Sequence, residues 1–119
     1  MLTKGFLNPR QLNRHYASHG ADFGVNNAAE YQALADTFLG GTRIPPIEEC
    51  VRGKGDIVRF NPITDEYGVL DSSRTIRTYF KPVPCSSLRG PIRIAMKQSG
   101  RCHGQASNLL YFQSECEKW

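Results

Sequence analysis

Two hydrophobic periods divide the chain. Up to about position 41 the apolar and aromatic residues recur at helical spacing. From about position 56 to 81 they alternate, or gather in short runs separated by turn residues. Asn8-Pro9 opens the first helix: a side chain able to cap, followed by a proline whose missing N–H is an orphan there in any case. Leu12, His15, Tyr16 and His19 follow, and Gly20 is the expected stop. A second helix is expected from Asn27, with Glu30 three residues on to complete a capping box. Tyr31, Leu34, Ala35 and Phe38 form its apolar stripe, and Gly40-Gly41 ends it.

After Pro45-Pro46 the pattern predicts strands at 56–60, 67–70 and 75–81. Asn61-Pro62 through Asp65-Glu66 forms the first turn and Asp71-Ser72-Ser73 the second. Residues 91–96 are an ambiguous strand in loop-like surroundings, and 109–113 reads as a last strand. Two helices followed by a meander predict an α+β domain with the helices on one sheet face. Its organisation is a single domain over 1–119: a helical part at 1–41, then an antiparallel sheet at 50–119 interrupted by an insertion at 83–108.

Alternation in the 75–81 strand puts Ile76, Thr78 and Phe80 on one face and Arg77, Tyr79 and Lys81 on the other. On that second face two cations flank a phenol, an arrangement able to hold a phosphate beside a hydrogen-bond donor. A solvent face with ordinary long polar side chains reads the same way.

Charge changes the picture regionally rather than globally. The net charge is only +4, yet every charged side chain between positions 71 and 115 is basic: Arg74, Arg77, Lys81, Arg89, Arg93, Lys97 and Arg101, with His103 among them. A one-signed stretch of this length attracts polyanions, above all phosphates. No apolar run reaches the length of a membrane span and no basic-then-apolar segment opens the sequence, so no stable membrane association is expected of this domain.

The four cysteines do not have zinc-ligand spacing. Cys85 and Cys102 bracket a Gly- and Ser-containing segment where a crosslink would restrict a long loop, buried or free thiols being the alternative. His15 and His19 share a helix face. Such a pair can ligate a metal, can serve as general acid and base, or can be one packed and one exposed histidine. The intervening Tyr-Ala-Ser lacks the glutamate of zinc-protease helices.

Three strings, RHYASHGADFGVNNAAEYQALADTFL, GDIVRFNPITDEYGVLDSSRTIRTYFKP and LLYFQSE, together resemble the C-terminal toxin domains of bacterial polymorphic toxins. The resemblance is to the contact-dependent inhibition and Rhs types that share a fold with barnase, EndoU, the tRNA-cleaving colicins and RelE. It covers residues 10–82 and 109–116; the segment between Pro82 and Leu109 is longer than the short turn usual there. It implies a metal-independent endoribonuclease with no cofactor, acting on tRNA or other RNA and leaving a 2′,3′-cyclic phosphate. His19 would be the base or acid and His15 its partner. Arg77 and Lys81 would clamp phosphate, while Thr78 and Tyr111 position the substrate. Arg59, Arg74, Arg89, Arg93, Lys97 and Arg101 would contact RNA. The resemblance also implies an acidic cognate immunity protein and delivery within a larger secreted or surface-borne toxin, with action in the cytoplasm of the target cell. A non-catalytic nucleic-acid-binding module, or a toxin with another target, are the alternatives.

Overall fold

The computed structural model describes residues 1–118. Helix α1 spans Pro9–His19 and a short 3₁₀ turn follows at Gly20–Phe23. Helix α2 is Ala28–Gly40, and the strands are β1 Glu48–Val51, β2 Ile57–Phe60, β3 Tyr67–Leu70 and β4 Ile76–Phe80. A second 3₁₀ turn at Cys85–Ser87 leads into helices α3 (Gly90–Gln98) and α4 (Asn108–Cys116). The strands form one antiparallel sheet in the order β1-β2-β3-β4. The domain is therefore α+β. None of its described helices is long and apolar enough to cross a membrane.

The first two helices start as their caps dictate: Asn8 Oδ1 accepts from the Gln11 amide and Asn27 Oδ1 from the Glu30 amide, each at 2.9 Å. Gly20 has an ordinary right-handed backbone. It is needed because a Cβ there would lie 2.5 Å from the Tyr16 ring.

Helices cover both faces of the sheet, where the pattern predicted one. Cross-strand neighbours define the two sides. Ile57, Leu70 and Ile76 lie together, as do Arg59, Gly68 and Tyr79, on the side of α2. Phe60, Tyr67 and Phe80, with Val58 and Val69, face α4. Leu39 of α2 packs so closely on Gly68 that a Cβ would sit 3.0 Å from it. Tyr31 is fully buried in the first layer, among Phe6, Tyr16, Phe23 and Tyr79, and donates its phenol hydrogen to the Tyr79 carbonyl. Phe112 of α4 stacks on Phe60 in the second layer, with ring centroids 5.9 Å apart.

The β4 alternation is broken by a bulge. Leu70 pairs with Ile76 but Val69 pairs with Thr78, so Arg77 has no cross-strand partner. Ile76 and Tyr79 consequently share the α2 side, and Tyr79 does not stand beside Arg77 and Lys81 on an open face. It is buried, and its hydroxyl donates to Glu66 Oε2 at 2.5 Å.

Both C-terminal strands of the sequence reading are helices. Residues 109–113 lie in α4, capped by Ser107, whose Oγ accepts from the Leu110 amide at 3.1 Å. Residues 91–96 lie in α3, which has no buried residue and leaves Ile92 and Ile94 exposed. The sheet thus ends at Phe80, and 83–108 is a connection between strand and helix rather than an insertion between strands. On the far side of β4, Phe6 bridges Ile76, the Ile76 amide donates to the Gly5 carbonyl at 2.9 Å, and the Lys4 amide donates to that of Arg74 at 2.8 Å. The outer edge of β4 is therefore already partly covered. Strand β1 was not foreseen in the sequence.

Two disulfides hold this arrangement. Cys85–Cys102 closes the connection, and Cys50–Cys116 ties β1 to the end of α4. Beside the latter, Arg52 donates to the Glu115 carbonyl at 2.8 Å and pairs with Glu115 at 3.1 Å and Asp56 at 3.4 Å.

Candidate functional site

The last turn of α1, the following 3₁₀ turn, the end of β4, the segment after α3 and the first turns of α4 converge on a cleft of about 510 Å³. It is lined by His19, Asp22, Lys81, Arg101, His103 and Tyr111, with Phe80 and Met96 as apolar walls. Each side chain has a local reason to be there. His19 is the last residue of α1 and stacks on Phe80 at 5.1 Å. Lys81 follows the last strand residue, and its ammonium sits 5.4 Å from the centre of the Phe23 ring. Arg101 and His103 flank Cys102, whose bridge to Cys85 fixes their backbone. The Cys85 amide donates to the His103 carbonyl at 2.8 Å, and the His103 amide to that of Val83 at 2.9 Å.

The two histidines of this cleft are held differently. His103 Nδ1 accepts from the Gln105 amide at 3.1 Å, so the neutral ring carries its proton on Nε2, which donates to Asn108 Oδ1 at 2.8 Å. Asn108 is itself oriented by donating to the Pro82 carbonyl at 2.8 Å and to Asp65 at 3.1 Å. The ring of His103 stacks on Tyr111 at 4.5 Å. Both of its nitrogens are thus occupied. The His19 ring, by contrast, makes no hydrogen bond among the described residues. Burial lowers its pKa below the usual histidine value, the Arg101 guanidinium lowers it further, and Asp22 opposes them. A neutral imidazole with free nitrogens, on the wall of a cleft, is a competent proton acceptor near neutrality. Tyr111 is shifted the other way, its phenol pushed up to about 12 by burial and then by Glu115, so it stays protonated as a donor.

His19, Lys81, Arg101 and Tyr111 are therefore brought together, and His103 joins them. Its signal in the sequence was its position beside a bridging cysteine at the end of the basic run. Arg77 and Thr78 line a second cleft instead, which shares Phe80 and Tyr111 with the first. His15 lines a third, with Arg14, Asp71 and Arg77. Its ring lies 6.0 Å from that of His19 and 5.1 Å from Phe6, and its Nδ1 is buried with no hydrogen-bond partner among the described residues.

The expected RNA-contacting cations separate in the same way. Arg89, Arg93, Lys97 and Arg101 are exposed along α3 and its flanks. Arg74 is exposed in the β3–β4 turn, with a left-handed backbone (φ 69°) and a guanidinium that donates to the Leu2 carbonyl at 2.8 Å. Arg59 is not available to RNA. Only 8% exposed, it donates to Glu49 at 2.7 Å and to the carbonyls of Phe38 and Gly41 at 3.0 and 2.6 Å, satisfying the end of α2.

His15 carries a prediction about stability. Burial first, then the charges of His19 and Arg14, take its pKa down to about 4. The unfolded chain, with an ordinary value near 6.5, binds a proton that the folded one refuses between those limits. The stabilisation is complete above about pH 6.5 and is lost as pH falls toward 4. His15→Phe, which keeps a ring against Phe6, is expected to recover about 2 kcal/mol at pH 4.5 relative to its effect at pH 7. Urea unfolding at the two pH values checks this; an equal effect at both would contradict it.

The chain matches no protein-family model and no curated protein.

Proposed function

We propose that this domain is a metal-independent endoribonuclease that cleaves RNA, tRNA in the first place, by attack of the ribose 2′-oxygen on the adjacent phosphorus. The observation that carries the reading is the convergence of His19, Lys81, Arg101 and Tyr111 on one cleft, where an imidazole whose pKa is lowered by burial and by Arg101 shares the walls with two cations and a phenol. In this mechanism His19 removes the 2′-OH proton, and the new bond from the 2′-oxygen to phosphorus forms as the bond to the 5′-oxygen breaks. Lys81 gives a proton to the leaving oxygen and, with Arg101, balances the charge of the phosphorane; Tyr111 donates a hydrogen bond to a phosphate oxygen. The products are a 2′,3′-cyclic phosphate and a 5′-hydroxyl. His103, with both nitrogens engaged, positions Tyr111 rather than moving a proton.

The similarity to polymorphic-toxin nucleases supports the same reading. It extends it to delivery within a larger bacterial toxin, action in a target cell's cytoplasm, and neutralisation by an acidic immunity protein. The exposed basic side chains of α3 favour one other reading, a module that binds nucleic acid without cutting it.

Incubation of the purified domain with total tRNA in excess EDTA tests the choice. Fragments ending in 2′,3′-cyclic phosphate are expected. RNA that is retarded but uncut would replace the nuclease with a binding module, and RNA that is neither bound nor cut would end both readings.

A further inference from the structure

The second cleft has a composition of its own. Of about 300 Å³, it is lined by Arg77, Thr78, Tyr111, Phe80, Arg52 and Glu115, among others. Because Phe80 and Tyr111 also line the first cleft, their rings form the ridge between the two. We propose that this second cleft is a subsite for the phosphate next to the scissile one. The enzyme would then grip a single RNA strand across two consecutive phosphates, one on each side of the Tyr111 ridge. The proposal rests on the ribonuclease reading for the identity of its ligand.

The charges of the second cleft favour an anion at Arg77. The two carboxylates there are already matched. Arg52 pairs with Asp56 at 3.4 Å and Glu115 at 3.1 Å, Lys54 with Asp56 at 3.5 Å, and Lys118 with Glu115 at 2.5 Å. Arg77 is placed differently. Its side chain is 64% exposed, and its ion pair is a 4.0 Å approach to Asp71. A surface pair of that kind is worth about 0–1 kcal/mol, so a phosphate displaces it at little cost. The guanidinium fork suits bidentate phosphate binding, and Arg77 lines this cleft together with Thr78, whose hydroxyl makes no hydrogen bond among the described residues.

The bulge accounts for the placement. The extra residue in β4 removes Arg77 from the ladder and turns Thr78 and Phe80 to the face that carries Tyr111. With a regular strand, Arg77 and Lys81 would lie on the same side. As built, Lys81 lines the first cleft, while Arg77 stands between the second and the third.

The test uses 2′-deoxy oligonucleotides, which lack the attacking hydroxyl and cannot be cut. A fluorescent deoxy-trinucleotide with two phosphates is expected to bind the full domain about five- to tenfold more tightly than the dinucleotide with one. The salt dependence should steepen by about 0.7 in the log–log slope, the value for one more phosphate on a single strand. Arg77→Gln, at an exposed position where circular dichroism checks the fold, should abolish that gain, and Thr78→Val should reduce it. Equal affinity of the wild-type domain for the two probes would overturn the subsite, as would a gain that survives in Arg77→Gln. Ribo-oligonucleotides of the same lengths separate the two ideas. Cleavage with no length preference removes the subsite and leaves the nuclease. Uncut RNA together with a gain in deoxy-probe binding that depends on Arg77 keeps the subsite and removes the nuclease.

Discussion

Replacing His19 with alanine is expected to reduce RNA cleavage by about 10²- to 10⁴-fold, the usual contribution of a positioned general base. The fold should survive. His19 ends α1, is only half-buried and bonds to nothing among the described residues, so its removal leaves no polar group stranded. The pH profile adds a readout that a structural role would not move. As the proposed base, His19 must lose its proton before it can act, so kcat/KM is expected to rise with pH and level off above the His19 pKa. Burial and Arg101 hold that pKa below the ordinary 6.5, which places the acid limb below pH 6.5. Arg101→Gln removes the second of those causes and should move the limb upward, toward the ordinary value, besides weakening binding. A folded His19→Ala domain of near-normal cleavage rate would refute the proposed mechanism. An acid limb that Arg101→Gln leaves in place would refute the electrostatic part alone.

Reduction of the disulfides should be the largest perturbation of stability. Cys50–Cys116 spans 66 residues and Cys85–Cys102 spans 17. On the chain-entropy model such bridges contribute about 4 and about 3 kcal/mol. A domain of this size has about 5–15 kcal/mol in all, so full reduction is expected to bring it close to unfolding at 37 °C. The two bridges should differ in kind. Cys50→Ser/Cys116→Ser frees the end of α4, which retains Phe112 and the Arg52–Glu115 pair, and should lower the urea midpoint most. Cys85→Ser/Cys102→Ser should cost less stability and more activity, because Arg101 and His103 flank Cys102 on the cleft wall. Paired urea and cleavage measurements on the two double variants check the ordering. Unchanged cleavage by Cys85→Ser/Cys102→Ser would mean that the 83–108 connection is held by its backbone pairing rather than by its bridge, and a greater loss of stability there than in Cys50→Ser/Cys116→Ser would overturn the ordering.

The capped helices and the strands of the meander were legible because their signals are local. Asn8-Pro9, Asn27 with Glu30, and the turns around Asn61-Pro62 and Asp71 act within a few residues. The α+β class follows from them. The side-chain types that meet in the first cleft, His19, Lys81, Arg101 and Tyr111, could be named as candidates because a sequence shows directly which side chains are able to titrate or to bind phosphate.

Tertiary structure alone decided where those residues go. Residues 109–113 carry an apolar run too short for periodicity to separate helix from strand. Ser107 as a cap, Phe112 against Phe60 and the Cys50–Cys116 bridge make it a helix on the second face of the sheet. The β4 bulge is a matter of register against β3, and it sent Arg77 to a different cleft from Lys81 and buried Tyr79. Arg59 was read as a surface cation because charge is visible in a sequence and enclosure is not. The carbonyls of Phe38 and Gly41, about twenty positions away, claim its guanidinium. His103 joins the first cleft through the Cys85–Cys102 bridge beside it and its stack on Tyr111. A cap or a turn is satisfied by neighbours along the chain, so the sequence carries it. A cleft is made by residues that meet only when the layers pack, and its membership is settled there.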